Sequence, residues 1–401
     1  MKVEERFLNY VSYWTTSGED MDVIPSTQRQ FDLARVLEQE LKDLGLSRVI
    51  CDDHCYVYGL LPATFGHEKD KSIGLIAHMD TAPAFSGEHV KPARIQHYDG
   101  QDIPLANGTV IRVSDFPLLK ERTGKTMIVT DGTTLLGADD KAGIAEIMTA
   151  LEKLIEQNLP HGDIWVGFTP DEEVGHGPHK FNLDYFQADY AYTVDGDYEG
   201  EVAYENFNAS SAVFRIQGVN VHPGSAKDIM VNAAAIACEI QSLLPEQETP
   251  AHTEGHEGFY HLEEMSGSVT SATLSYIVRD HDPKIFEKRQ QVLRDIEAKM
   301  NEKYGAGTVT LTLSESYRNM LEIMEEHFYV IERAQNAIRS CGLEPVSRPV
   351  RGGTDGAQLS FRGLPCPNLG TGGAAFHGPM EHICVEAMET MVDILIAIIR
   401  G

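Results

Sequence analysis

Five apolar runs in this chain stop at, or give way to, a carboxylate or an imidazole. KSIGLIAHMDTAP (71–83) takes a strand-like run into His78 and Asp80. LLGADDKAG places Asp139-Asp140 ahead of a helix, and VGFTPDEEVG closes a strand on Asp171-Glu172-Glu173. AYTVDGD ends on Asp195, and GTGGAAFHGPMEH carries His377 in a loop before the last helix. Alternate strand residues share a face, so His78 and Asp80 project the same way. That pair is either a hydrogen-bonded strand end or a metal ligand whose second N–H is held by a carboxylate. Ligands of α/β proteins collect at strand C-terminal ends. Gathered there, His78, Asp140, Glu173, Asp195 and His377 repel one another unless cations are present. Two divalent ions resolve this, with three carboxylates, one of them bridging, and one imidazole on each ion. Mixed nitrogen and oxygen donors suit zinc, with cobalt or manganese as substitutes. Of the adjacent glutamates, one can ligate while its neighbour serves as general base. Glu172 is assigned as base and Glu173 as ligand, although the pattern alone permits the reverse.

These residues need a scaffold that brings strand ends together. Helical spacing over Thr27–Leu44 precedes short apolar runs near 57–61 and 73–78, and residues 84–130 read as loops and short strands. A strong helix over 135–158 is followed by strands at 163–169 and 190–195. Strand, helix, strand at this spacing predicts an α/β fold with a mixed, largely parallel sheet flanked by helices. From Ala209 the pattern changes to β-α-β-α-β, enough for a two-layer α+β lid. The expected division is a discontinuous catalytic domain, 1–207 and 320–401, with a lid at 208–319.

The bulk properties narrow the classes. The chain has 401 residues, 42% of them hydrophobic and 23% charged, and a net charge of −28. That balance argues against nucleic acid or anionic membrane as partner. No apolar run is long enough to span a bilayer, and the first residues lack a signal-peptide layout. Six scattered cysteines fit reduced thiols, so a cytoplasmic location is expected. RGGTDG (351–356) lacks P-loop spacing, so nucleotide binding is not expected.

AHMDT, LLGADDKAGIAEIMTA, FTPDEEVG, YTVDG, ENFNAS, VHPGSAK, TEGHEGFYH, YIVRD, RGGTDGAQLS, GLPCPN and FHG together resemble the peptidase T branch of the di-zinc metallopeptidases and aminoacylases. That clan also holds succinyl-diaminopimelate desuccinylase and glutamate carboxypeptidase. The resemblance implies a zinc-exopeptidase-like fold and two zinc ions, one on His78 and Asp195, the other on Glu173 and His377. It further implies Asp140 as the bridge with a cis peptide just after it, Asp80 orienting His78, and Glu172 as base. The sequence departs from the family at Ala374, Ala375 and Phe376 before His377, at Gly378-Pro379-Met380 after it, and at Asp197 and Tyr198.

By the same resemblance His222, in the lid, would hydrogen-bond the scissile carbonyl oxygen as charge develops. Arg279 could grip a peptide's terminal carboxylate through two bonds. Backbone approach at Gly353 and a donor from Thr354 would serve substrate, and Arg351 would contact substrate or brace its loop. The expected activity is hydrolysis of the N-terminal peptide bond of short peptides, preferentially tripeptides, with an N-acyl-amino-acid amidohydrolase as the alternative. A non-catalytic metal- or peptide-binding relative is the remaining alternative. A homodimer is left open, as is whether His222 acts in its own subunit.

Overall fold

The computed structural model describes residues 1–19 and 23–401. The chain divides into two compact units, one of Met1–Tyr204, Glu322–Arg348 and Thr354–Gly401, the other of Glu205–Leu321 with Pro349–Gly353.

The first unit is built on a seven-stranded sheet in the order Ser47–Cys51, Val57–Leu61, Ile164–Thr169, Ile73–His78, Tyr190–Gly196, Asn368–Gly370, Val202–Ala203. Its four central strands are parallel and its edges antiparallel. Strands Ile73–His78 and Ile164–Thr169 are buried at every position, as expected for a parallel sheet covered on both faces. The helix Ala138–Glu156 packs on strands Ile73–His78 and Tyr190–Gly196, and Val385–Arg400 packs on that helix. The close approach explains Gly143, where a Cβ would collide with the Val194 carbonyl and the Asp140 carboxylate. A smaller sheet of Gly373–Ala374, His382–Cys384, Met127–Val129 and Ala93–Ile95 forms a hairpin whose loop carries His377.

The second unit is a four-stranded antiparallel sheet in the order Phe259–Gly267, Ser271–Asp280, Asn208–Gln217, Val309–Tyr317. Strand Ser271–Asp280 alternates between buried and part-exposed positions. Phe214, Ile216, Leu274 and Tyr276 on one side meet Ile236, Ile240, Phe286 and Leu293 of helices Ala233–Ser242 and Pro283–Tyr304. The strand Phe259–Gly267 is not foreseen by the β-α-β-α-β reading. Its sequence FYHLEEMSG is mostly exposed, so it lacks the apolar alternation that marks a strand. Among the described residues no helix is long and apolar enough to cross a membrane.

Candidate metal centre and active site

His78 is the last residue of its strand and is 2% exposed. Its Nδ1 donates to the Asp80 carbonyl at 3.0 Å, with the Asp80 carboxylate 3.4 Å away. Nε2 is therefore the nitrogen turned toward the cluster, 2.7 Å from Asp139 Oδ1 and 3.4 Å from Asp195 Oδ1. The buried Asp80 carboxylate accepts the backbone N–H groups of Glu172 and Glu173 at 3.0 and 3.2 Å. One side chain thus ties the end of strand Ile73–His78 to the turn that carries both glutamates.

That turn is held from behind as well. Asp171, at φ 57°, accepts Ser26 N–H, Ser26 Oγ–H and Gln30 Nε2–H at 2.6, 2.5 and 2.6 Å. The following Glu173 places Oε2 2.9 Å from His377 Nε2, and its other oxygen is buried without a partner. Burial, then the Asp139 charge, pushes the Glu173 carboxyl up to about 8. Burial, then the Asp195 charge, raises Glu172 well above the usual carboxylate range. Burial likewise pushes Asp195 up to about 6.

Asp139 and Asp140 behave differently from the sequence expectation. The cis peptide lies between them, before Asp140 rather than after it. Both have non-helical backbone angles, so the regular helix begins only beyond them. Asp139 lies between the two imidazoles, with Oδ1 2.7 Å from His78 Nε2 and Oδ2 3.0 Å from His377 Nε2. Burial opposes its ionisation, but hydrogen bonds from His377 and His78 hold its carboxyl below the usual range. Asp140 turns back: Oδ2 accepts the His78 backbone N–H at 3.1 Å, and Oδ1 is buried without a partner. The carboxylate between the two imidazoles is thus that of Asp139, while Asp140 groups with His78 and Asp195 within reach of one ion. His78, Asp139 and Glu173 form a second such group.

Glu381 is a further part that sequence reading missed. Its carboxylate accepts the N–H groups of Leu136, Gly137 and Asp139 at 2.6, 2.8 and 3.0 Å, cradling the loop that presents Asp139. The only hint in the sequence is its place four residues after His377 in the same hairpin.

The donor set fits divalent cations. Five carboxylates and two imidazoles converge, and two of the buried carboxylate oxygens, Asp140 Oδ1 and Glu173 Oε1, have no hydrogen-bond partner. Buried carboxylates in this number are tolerable only when protonated or paired with positive charge.

The residues expected to meet substrate fall into distinct settings. Thr354 Oγ1 accepts the Ala357 N–H at 3.1 Å and caps the helix Asp355–Phe361, which leaves its O–H as a donor. Arg351 is a brace: it donates to the carbonyls of Gly255 and Glu257 at 2.8 and 2.9 Å and to Thr253 Oγ1 at 2.9 Å. A Cβ at Gly353 would press on the Tyr317 ring, which accounts for that glycine by packing. Arg279 donates to the carbonyls of Ser210 and Val278 and lies over the Tyr317 ring, while Asp280 pairs with Arg289. His222 is exposed, and its Nδ1 accepts the Gly224 N–H at 3.1 Å. The neutral ring therefore carries its proton on Nε2.

Over 402 residues the chain is 52% identical to a peptidase T of Caldanaerobacter subterraneus subsp. tengcongensis, covering 100% of this chain and 98% of the relative. A Clostridium perfringens peptidase T is 50% identical over 400 residues, with the same shares covered. The chain belongs to the peptidase T family. As a member of that family it is a metallopeptidase that hydrolyses peptide bonds. The aminopeptidase PepT of Bacillus cereus matches with a TM-score of 0.78 at 25% identity, covering 100% of this chain and 97% of that one. A Staphylococcus aureus tripeptidase has the same fold, with a TM-score of 0.79 at 24% identity and the same coverage. A peptidase dimerisation domain matches residues 204–308, and an M42 glutamyl aminopeptidase family matches 97–247. The first match points to self-association of this peptidase T family member.

Proposed function

We propose that this chain is a di-zinc tripeptide aminopeptidase in which Asp139, rather than Asp140, bridges the two ions. The observation that carries this reading is the carboxylate of Asp139 lying within 3.0 Å of both His78 Nε2 and His377 Nε2. His78 and Asp195 would hold one ion, Glu173 and His377 the other. Asp140 then steadies the His78 backbone. Zinc is favoured over hard-cation alternatives by the two imidazoles. Ions bound there supply Lewis acidity that polarises the scissile carbonyl and acidifies water.

The chain's own groups do the rest. Glu172 accepts the proton of the attacking water and returns it to the departing amine. Its raised proton affinity in a buried setting suits that exchange near neutral pH. Asp80 keeps His78 Nδ1 as donor and fixes the backbone of Glu172 and Glu173, so it is a positioning residue. His222 would donate from Nε2 to the developing oxyanion. Arg279, with no carboxylate within ion-pair distance among the described residues, would take the peptide's C-terminal carboxylate. The first unit would be the catalytic domain and the second a lid that also mediates a homodimer, as the dimerisation-domain match suggests. Six free cysteines support a reducing compartment, the cytoplasm.

The test is hydrolysis of trialanine beside N-acetyl-trialanine by the zinc-loaded protein, with products separated by chromatography. Alanine plus dialanine from the unblocked peptide alone is expected. Cleavage confined to the acetylated compound would redirect the reading to an amidohydrolase.

A further inference from the structure

At the opposite ends of the same strands lies a hollow of about 340 Å³ that no part of the peptidase reaction uses. Lys71 precedes strand Ile73–His78, His161 precedes Ile164–Thr169, and Tyr190 opens Tyr190–Gly196. A strand of this length spans about 20 Å, so the hollow is remote from the metal cluster. Arg333 and Arg400 complete its charged wall.

The local charge is the reverse of the chain's. In a protein with 61 acidic and 33 basic residues, three permanent cations and two imidazoles line this hollow against one carboxylate. That carboxylate, Asp70, is already engaged by His67 at 2.7 Å. Glu332 borders the adjoining surface depression beside Arg333 and Arg400. Lys71 has no carboxylate partner among the described residues and lies 4.0 Å above the Tyr329 ring. Arg400 likewise makes no hydrogen bond or ion pair among the described residues, while Arg333 donates to the carbonyls of Ile398 and Ile399 and adds only its charge.

Two polar side chains with little exposed surface also line the hollow. Tyr190 is 1% exposed, yet its hydroxyl bonds to no other described residue. His161 is 5% exposed, and its Nδ1 donates to the Gly162 carbonyl at 2.7 Å, so in the neutral ring Nε2 is an acceptor. A ligand rich in acceptors would take the hydrogen bond of the Tyr190 hydroxyl.

We infer that this hollow binds a phosphate dianion, free or as a small phosphate monoester. A free guanidinium, an ammonium and a phenol offer more donors than a carboxylate can use, and a tetrahedral phosphate can meet them. The volume falls within the range of small-molecule sites, and Tyr329, Pro160 and Ile399 give the ester an apolar wall.

Isothermal titration of the zinc-loaded full chain with phenyl phosphate and with inorganic phosphate tests this. The same titrations are run on Lys71→Glu/Arg400→Glu, whose changed side chains lie on the surface. The pair of changes should weaken phosphate binding by about tenfold or more while leaving trialanine turnover unchanged. Tighter binding of phenyl phosphate than of inorganic phosphate would identify an ester as occupant, and the reverse would identify free phosphate. Equal affinity in the wild type and the double variant, or no binding to the wild type in the millimolar range, would overturn the inference.

Discussion

Strands Ile73–His78, Ile164–Thr169 and Tyr190–Gly196 lead at their C-terminal ends to His78, Glu172, Glu173 and Asp195, and they are preceded or opened at the other end by Lys71, His161 and Tyr190. The first set is buried or part-buried, and burial raises the proton affinity of its glutamates and of Asp195. The second set keeps its lysine in solvent. One sheet thus carries opposite charge at its two ends. The anionic end needs cations and supporting hydrogen bonds to be stable, whereas the cationic end tolerates water around its longest side chains.

The largest effect should come from the group with no structural duty. Glu172→Gln is expected to lower trialanine turnover by about 10²–10⁴-fold while the ions stay bound, read by kinetics beside metal analysis. Unchanged turnover would remove Glu172 from the reaction. Next, Glu381→Gln weakens one of the three hydrogen bonds that hold the 136–139 loop. Zinc affinity should fall by about 10–100-fold, measured by competition with a chelator, because the loop presents Asp139 less well.

A third effect is on stability. Glu173 titrates at about 8 in the folded chain without ions, above its ordinary value of 4.5. Between those values the folded state binds more protons than the unfolded state, so the ion-free protein loses stability as pH rises through that window. Bound cations remove the cause. The gain in melting temperature on adding zinc should therefore be larger at about pH 8 than at about pH 5, as scanning calorimetry would report. An equal gain at both would mean that Glu173 is not in contact with the ion. The smallest effect is expected at the cationic end, where Lys71→Glu/Arg400→Glu should leave kcat and KM for trialanine within about twofold, since screened surface charges contribute little.

Much of the anionic end was legible in the sequence because strand periodicity gives both the end of an element and the face of its last residues. His78, Asp195 and the glutamate pair follow from that. Asp139 and Asp140 do not, since adjacent residues at a helix start have no periodicity to separate them. Only the non-helical backbone there sends Asp139 toward the imidazoles and Asp140 back to the His78 N–H. Glu381 acts through backbone donors distant in sequence, which no local pattern encodes. Phe259–Gly267 was missed for a different reason: it is an exposed, polar strand, so its hairpin with Ser271–Asp280 carries no apolar alternation. Thr354 carries a plain local signal as well, a threonine three residues before the N–H it caps.

The most direct measurement is the zinc content of purified wild type, Asp139→Ala and Asp140→Ala after dialysis against zinc-free buffer, by inductively coupled plasma spectrometry. A pair of ions per wild-type chain and loss of at least one from Asp139→Ala are expected, with Asp140→Ala retaining more than Asp139→Ala. Full retention by Asp139→Ala, with loss confined to Asp140→Ala, would contradict this and return the bridge to Asp140.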